Sequence, residues 1–168
     1  MAHQFTVHAT LQGISLDQFQ QLLRQPQLHE AVCRRLPCDY LEITESTLQD
    51  QVYTLRRIYQ PEVHLPEVAK KVLKDSLKIQ RVDFTNFADA NSRVELAANF
   101  PLRAQGQRQI RGDENSVQIE ATWQVEVKIP LVGGLLEKHA ETEIRRLTAV
   151  EVAIIQDEIE QRLAATEA

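Results

Sequence analysis

The sequence predicts an α+β domain in which a curved antiparallel sheet of seven strands wraps a long C-terminal helix. Segments with an apolar residue at every second position recur along the chain, and this alternation is typical of strands with one buried face. Residues 135–163 instead place apolar residues three or four positions apart and contain neither proline nor glycine, which is typical of an amphipathic helix. We expect the apolar faces of the sheet and of this helix to bury each other.

A strand and two short helices are predicted at the start of the chain. Apolar and polar residues alternate over residues 5–11, which indicates a strand with one face on the core. Ser15 or Asp17 can cap a helix over residues 16–23, because their side-chain oxygens accept backbone N–H groups of the first turn. A second short helix is expected over residues 28–36, between two prolines that interrupt helical structure.

Six further strands follow, and the turn residues between several of them predict hairpins. Their predicted ranges are 39–48, 52–59, 77–87, 93–100, 104–111 and 117–129. The last range is the clearest, since seven apolar residues alternate with six polar ones without interruption. One or two helical turns are expected over residues 67–73. Strands joined by hairpins pair antiparallel, so the sheet is predicted to be mainly antiparallel.

The long helix is expected to follow the pair Gly133 and Gly134, which allows a sharp change of direction. At about 1.5 Å per residue it would span roughly 40 Å, the full width of a sheet. The stripe that faces the sheet is predicted to contain Leu136, Ala140, Ile144, Leu147, Val150 and Ile154. We expect the buried part to end near Ile154, because the next position of the stripe is Glu158.

Composition and charge exclude several classes of function. The chain has 168 residues, which fits one domain over residues 1–168, and its net charge is −5. Lysines and arginines are scattered rather than clustered with aromatic residues, so we predict no nucleic-acid binding. No stretch approaches the roughly 20 apolar residues that cross a bilayer, and the N-terminus lacks the pattern of a secretory signal. We therefore expect no integral membrane segment and a cytoplasmic location, while the oligomeric state stays open.

Residues with catalytic or metal-binding chemistry do not form a recognisable motif. Cys33 and Cys38 are too few for a disulfide scaffold and lack the spacing of a zinc site, so two reduced thiols are expected. The five histidines form no ligand-spaced pair, and we predict neither a metal nor a cofactor. Neither a nucleophile elbow nor a phosphate-binding loop occurs, so no catalytic residue is predicted.

Two stretches of the chain and the order of its elements resemble a known superfamily. The stretches are VEVKIPLVGGLLE at residues 125–137, and LPE at 65–67 followed by AKKVL at 69–73. They look like the strand-to-helix junction and the middle segment of a bacterial START-like group catalogued as domain of unknown function 2505. The order of strand, two short helices, six strands and long helix resembles the helix-grip fold of the START-like superfamily, which includes birch-pollen-allergen-like and polyketide-cyclase-like proteins.

The resemblance implies a cavity between the sheet and the long helix, because relatives of this fold commonly hold lipids, sterols, polyketides or plant hormones there. The leading expectation is a protein that binds an apolar or amphipathic small molecule. One alternative is a polyketide-cyclase-like or hydrolase-like enzyme that uses the same cavity. Another is a structural or interaction protein whose core is filled, since protein interiors are normally close-packed.

The expected cavity would be lined by the inner face of the sheet and by the facing stripe of the helix. Its apolar lining is predicted to contain Leu96, Ala98, Phe100, Ala121, Trp123, Val125, Ile144, Leu147 and Ile154. His139, near the start of the helix, either lies at the mouth of the cavity or is an exposed surface histidine.

Polar residues of two strands are candidates for contact with an acidic ligand head. They are Tyr53, Arg57, Tyr59 and Arg108. If their parity faces inward, the two arginines meet the acidic head and the tyrosines supply hydroxyl groups. The alternative buries Val52 and Ile58 instead and leaves the arginines at the rim or outside.

Overall fold

The computed structural model describes residues 2–73 and 76–167, and the order of its elements is the predicted one. The strands are β1 His3–Gln12, β2 Cys38–Gln49, β3 Val52–Pro61, β4 Ile79–Asn86, β5 Asn91–Ala98, β6 Leu102–Gly112 and β7 Ser116–Val127. The helices are α1 Leu16–Leu23, α2 Pro26–Arg35, α3 Glu67–Val72 and α4 Gly133–Glu167. The seven strands form one antiparallel sheet in the order β1-β7-β6-β5-β4-β3-β2. This is the helix-grip architecture.

The inner face of the sheet packs against α4, as the alternation of apolar residues predicts. Trp123 of β7 pairs with Phe5 of β1 on one side and with Gly106 of β6 on the other. A Cβ atom at position 106 would lie 2.9 Å from the Trp123 ring, so the glycine makes room for the indole. Ala140 and Ile144 of α4 pack against this part of the sheet.

Helices α1 and α2 pack on the C-terminal half of α4. Ser15 caps α1, because its hydroxyl accepts the Gln18 N–H while the Gln18 side chain accepts the Ser15 N–H. Phe19 of α1 packs with Ile159 of α4. Arg35, at the end of α2, forms an ion pair with Glu158. These contacts hold the last turns of α4 against the fold.

Helix α4 is longer and more deeply buried than predicted. It runs from Gly133 to Glu167. The prediction that its buried part ends near Ile154 was wrong, because Glu158 and Ile159 are both buried. Helices α1 and α2 supply packing partners that the pattern of α4 alone does not indicate. Within the described ranges, none of the helices has the length and apolar character needed to cross a membrane.

The inward stripe of α4 follows the prediction only as far as Leu147. Beyond that residue the inward positions are Glu151, Val152, Ile155 and Ile159. Val150 and Ile154 are half-buried but line none of the three cavities beneath α4 described below. The prediction failed here because it assigned inward positions to apolar residues alone. Glu151 nevertheless lies inside the fold, where it pairs with Arg81.

The chain changes direction between β7 and α4 at Leu131 rather than at the glycine pair. Leu131 is fully exposed and has a φ of 72°, whereas Gly133 and Gly134 have no positive φ. Gly133 has a different role, because a Cβ atom there would collide with the carbonyl oxygen of Val127. A Cβ atom on Gly134 would meet nothing within 4 Å. The position of the junction was predicted correctly, but the turning role of the glycines was not.

Candidate ligand cavity

Three adjoining cavities lie between the inner face of the sheet and α4. The inner cavity, beside α2, has a volume of about 90 Å³, the middle cavity about 120 Å³, and the outer cavity, beside α3, about 110 Å³. Arg108 and Glu151 line both the inner and the middle cavity, while Tyr59 and Leu147 line both the middle and the outer one. Each volume is several times the about 10–15 Å³ that one water molecule needs. The space between sheet and helix is therefore partly open.

The chemical character of the lining changes along the row of cavities. The outer cavity is walled mostly by apolar side chains, among them Val63, Leu65, Phe100, Leu102, Val125 and Leu136. The inner cavity contains charged side chains and hydroxyl groups as well as apolar ones. A molecule that occupied the whole row would meet an apolar environment at one end and a polar one at the other.

Five charged side chains form a cluster at the boundary of the inner and middle cavities, here called the charged cluster: Arg57, Arg81, Asp83, Arg108 and Glu151. Asp83 accepts two hydrogen bonds from Arg81, at 2.8 and 2.9 Å, and one from Arg108, at 2.9 Å. Glu151 extends from α4 to within 3.6 Å of Arg81. Arg57 lies directly across from Arg81 in the β3–β4 ladder, and its Nη2 atom is 3.9 Å from Asp83.

The two carboxylates of the charged cluster stay ionised inside the fold. Burial alone would raise the pKa of Asp83 and of Glu151, but the neighbouring arginines, Arg81 above all, outweigh it. Both pKa values therefore lie below the ordinary range, and that of Asp83 lies far below it. Burial also opposes the charge on Arg81, and the two carboxylates reverse that effect and raise its pKa.

The α2 side chains that line the inner cavity are uncharged. His29 stacks on Tyr53 with ring centroids 4.3 Å apart, and its Nε2 lies 2.6 Å from the Leu23 carbonyl oxygen. Because a carbonyl only accepts, Nε2 donates and Nδ1 is the acceptor of the neutral ring. Burial lowers the pKa of His29 and raises the pKa of the Cys33 thiol, so both groups are uncharged near neutral pH. In the part of the chain that the structure describes, no three His, Cys, Asp or Glu side chains are placed to hold a metal ion.

Most of the residues predicted to line a cavity do line one. The inner cavity contains Tyr53, Arg57 and Arg108, the middle one Tyr59, Leu96, Ala121, Trp123, Ile144 and Leu147, and the outer one Phe100, Val125 and His139. The alternative in which Val52 and Ile58 form the buried face of β3 was wrong, because Arg57 and its parity face inward. His139 also bonds the carbonyl oxygen of His64, which ties the segment before α3 to α4.

Two predicted lining residues lie elsewhere. Ala98 borders a groove at the turn between β5 and β6 rather than the space under α4. Ile154 lines none of these three cavities, and Ile155 takes its place on the inner and middle walls. A one-residue error in the helical stripe accounts for the second case.

Sequence reasoning missed three members of the charged cluster: Arg81, Asp83 and Glu151. On β4 two of the inward positions carry charges, while the outward positions include Val82 and Phe84. An apolar pattern therefore does not single out the inward face. Phe84 is covered from outside by the guanidinium groups of Arg56 and Arg93, 5.9 and 4.7 Å from its ring centre. One signal was present, since opposite charges two residues apart on a strand share a face and can pair.

Comparison with known proteins identifies the family. The sequence matches the family described as a protein of unknown function (DUF2505) over residues 6–159. The chain belongs to this family. The match spans nearly all elements of the DUF2505 fold described above and confirms the resemblance seen in the two stretches. Among curated protein sequences, none matches the chain.

Solved structures that are similar to this DUF2505 chain share its helix-grip fold. The Zhui aromatase/cyclase from a Streptomyces species has a TM-score of 0.63 at 14% identity, with 96% of each chain covered. A START superfamily protein from Mycobacterium smegmatis has a TM-score of 0.58 at 12% identity, with 95% of this chain and 98% of that chain covered. Norcoclaurine synthase from Thalictrum flavum has a TM-score of 0.57 at 16% identity, with 97% and 88% covered. At these identities the similarity establishes the fold alone.

Proposed function

We propose that this DUF2505 protein binds an apolar or amphipathic small molecule in the three cavities between its sheet and α4. The observation that carries the proposal is the change of lining along the row, from apolar beside α3 to charged beside α2. Ligand sites are typically concave and mostly apolar, with a few polar groups that orient the ligand. We place this binding in the cytoplasm, where Cys33 and Cys38 stay free thiols.

The free-energy cost of open space supports the same proposal. Interiors are normally close-packed, and a cavity destabilises a fold by about 24 cal/mol per Å³. At that rate a sealed and empty cavity of the volume of the outer one, about 110 Å³, costs roughly 2–3 kcal/mol, which is the upper bound for a cavity that opens to solvent. This is a large part of the about 5–15 kcal/mol by which a domain is stable. A ligand that fills the space offsets the cost.

Native mass spectrometry of the purified protein tests the proposal directly. We expect a species heavier than the chain, whose additional mass is released on denaturation and recovered by solvent extraction. A neutral apolar dye, Nile red, is expected to bind the extracted protein and to raise its melting temperature. The proposal is wrong if no molecule co-purifies and Nile red neither binds nor stabilises the protein.

A matched pair of alanine variants locates the binding. Ala140 lines the outer cavity, whereas Ala153 lies on the exposed face of the same helix. Ala140→Leu is expected to weaken Nile red binding by about tenfold or more without lowering the melting temperature, because the added side chain fills open space. Ala153→Leu is expected to bind as the wild type does. Equal binding by the two variants would place the dye outside the outer cavity.

The enzyme alternative has its own readout. A cyclase-like or hydrolase-like protein would turn over a thioester or polyketide surrogate in the same cavity. If the wild type turns over a surrogate, and Arg108→Met loses this turnover but still binds Nile red, the protein is an enzyme rather than a carrier. Binding without turnover of any surrogate supports the binding protein.

A further inference from the structure

The charged cluster contains more positive than negative groups. The positive groups are Arg57, Arg81 and Arg108, and the negative groups are Asp83 and Glu151. The α2 side chains that line the inner cavity add no balancing charge, because burial keeps Cys33 a neutral thiol and His29 a neutral imidazole. Among the described residues that line the inner and middle cavities together, three arginines face two carboxylates, so one positive charge is left without a counter-charge. A buried charge without a partner destabilises a fold unless something else supplies the partner.

Of the three arginines in the charged cluster, Arg57 is the one that lacks a hydrogen-bonded carboxylate partner. Arg81 makes two hydrogen bonds to Asp83, and Arg108 bonds both Asp83 and a serine hydroxyl. Arg57 is only 3% exposed, and its one polar contact at hydrogen-bonding distance is from Nη1 to the Sγ of Cys33, at 2.7 Å, within the described part of the chain. Its Nε is buried and finds no acceptor in residues 2–73 or 76–167. A water molecule could complete the hydrogen bond, but it would leave the charge unbalanced.

The unsatisfied side of Arg57 has the shape that a carboxylate requires. Nε and Nη2 donate along the same edge of a guanidinium, and a carboxylate binds such an edge with two parallel hydrogen bonds. Nη2 is 3.9 Å from Asp83, an ion-pair distance that is too far for a hydrogen bond, so this edge makes no hydrogen bond among the described residues. Nη1, on the other edge, is already engaged by Cys33.

We infer that the ligand is a carboxylic acid with an apolar body, and that Arg57 binds its carboxylate at the inner end of the row of cavities. This inference rests on the proposed function and names the ligand class for the same cavities. One carboxylate matches the single excess positive charge, whereas a phosphate monoester carries about −1.5 to −2 at neutral pH and would exceed it. The apolar body would pass Trp123 in the middle cavity and end in the apolar outer cavity.

Three probes with one alkyl chain test the inference on the wild-type protein: decanoic acid, methyl decanoate and decyl phosphate. Displacement of Nile red and quenching of Trp123, the single tryptophan, report binding. We expect decanoic acid to bind at least about tenfold more tightly than its methyl ester, because a charge-assisted pair is lost in the ester. Equal binding of acid and ester overturns the inference but leaves the proposed function standing. Tighter binding of decyl phosphate than of the acid also overturns it. Failure of Nile red and all three probes to bind overturns the proposed function itself.

Variants of two adjacent arginines assign the preference to one side chain. Arg57→Met is expected to lower the affinity for decanoic acid to that for the ester, with the ester unaffected. Arg57→Lys keeps the charge but loses the two-donor edge, so it should retain only part of the preference. Arg56 is half-exposed on the outer face, where it pairs with Glu45, and Arg56→Met should keep the full preference. An acid preference that survives in Arg57→Met contradicts the inference. If that variant does not fold, Arg57→Lys and the wild-type comparison of acid with ester still decide it.

Discussion

Arg81 and Asp83 lie two residues apart on the inward face of β4, and their side chains meet in two hydrogen bonds of 2.8 and 2.9 Å. The same carboxylate accepts a hydrogen bond from Arg108 on β6, which is separated from β4 by one intervening strand. Asp83 thus connects two strands that share no backbone hydrogen bonds. Its side chain is 12% exposed, so this connection is made largely out of water.

Removing the charge of Asp83 is expected to destabilise the protein strongly. Asp83→Asn leaves three arginines facing Glu151 alone, and breaking a buried ion pair from one side typically costs about 3–5 kcal/mol. Urea unfolding monitored by Trp123 fluorescence measures the change. Asp39, which is exposed, provides the control, and Asp39→Asn should stay within about 0.5 kcal/mol of the wild type. A similarly small effect at Asp83 would contradict its central place in the charged cluster.

The stability of the protein is expected to depend on pH through His29. Burial lowers the folded-state pKa of this imidazole, so the unfolded chain takes up a proton first as the pH falls. The stabilising contribution is therefore present above the ordinary pKa of about 6.5 and is lost as the pH falls below it. Melting temperatures at about pH 7.5 and about pH 5.5 should differ less in His29→Gln than in the wild type. The exposed His8 is the control, and His8→Gln should keep the wild-type difference. The same pH dependence in all three proteins would refute the assignment.

The adjacent glycines of the β7–α4 junction are expected to respond oppositely to alanine. Gly133→Ala places a methyl group on the Val127 carbonyl, which is backbone and yields little, so a loss of about 1–3 kcal/mol is expected. Gly134→Ala meets open space within the first turn of α4 and should be neutral or stabilise by about 0.4–1 kcal/mol. Thermal unfolding of the two variants decides, and a Gly134→Ala protein that melts lower than Gly133→Ala would contradict the packing described here.

Two isoleucines near the end of α4 test where its buried face lies. Ile159 is fully buried with Phe19, and Ile159→Ala is expected to cost about 2–5 kcal/mol through the cavity that it leaves. Ile154 is half-buried, so Ile154→Ala should cost clearly less. Denaturant unfolding of both variants at one pH gives the comparison. A larger loss of stability in Ile154→Ala than in Ile159→Ala would instead support the buried stripe predicted from the sequence, which ends near Ile154.

The elements of this fold could be predicted because their signal is local. In β7 the alternation around Trp123 is uninterrupted, and in α1 the pair Ser15 and Gln18 forms the expected capping box. Helix α4 could be placed but its buried face could not be followed to the end. Beyond Leu147 its inward side is decided by an ion pair to Arg81 and by packing on Phe19, neither of which is visible in the period of the helix.

The site was predictable only in part, because its charges are assembled from distant segments. Both parities of β3 carry apolar residues, so the sequence could not decide whether Arg57 or Ile58 faces the core. The register with β4 and the contact to Cys33 decide it in favour of Arg57. Asp83 was missed because β4 places the aromatic Phe84 on the outer face and the charged Asp83 on the inner one. The usual expectation is that the aromatic residue is buried and the carboxylate exposed.

The pairing of β1 with β7 has a consequence for how the chain is made. His3 lies opposite Val125, so within the part of the chain that the structure describes, the first of the seven strands to be synthesised pairs in the sheet with the last of them and with no other. The five strands from β2 to β6 can pair in succession during translation, while β1 stays without a partner until β7 has emerged. The sheet can therefore close around α4 only after β7 and α4 have been synthesised, when the strands between β1 and β7 have already been able to pair.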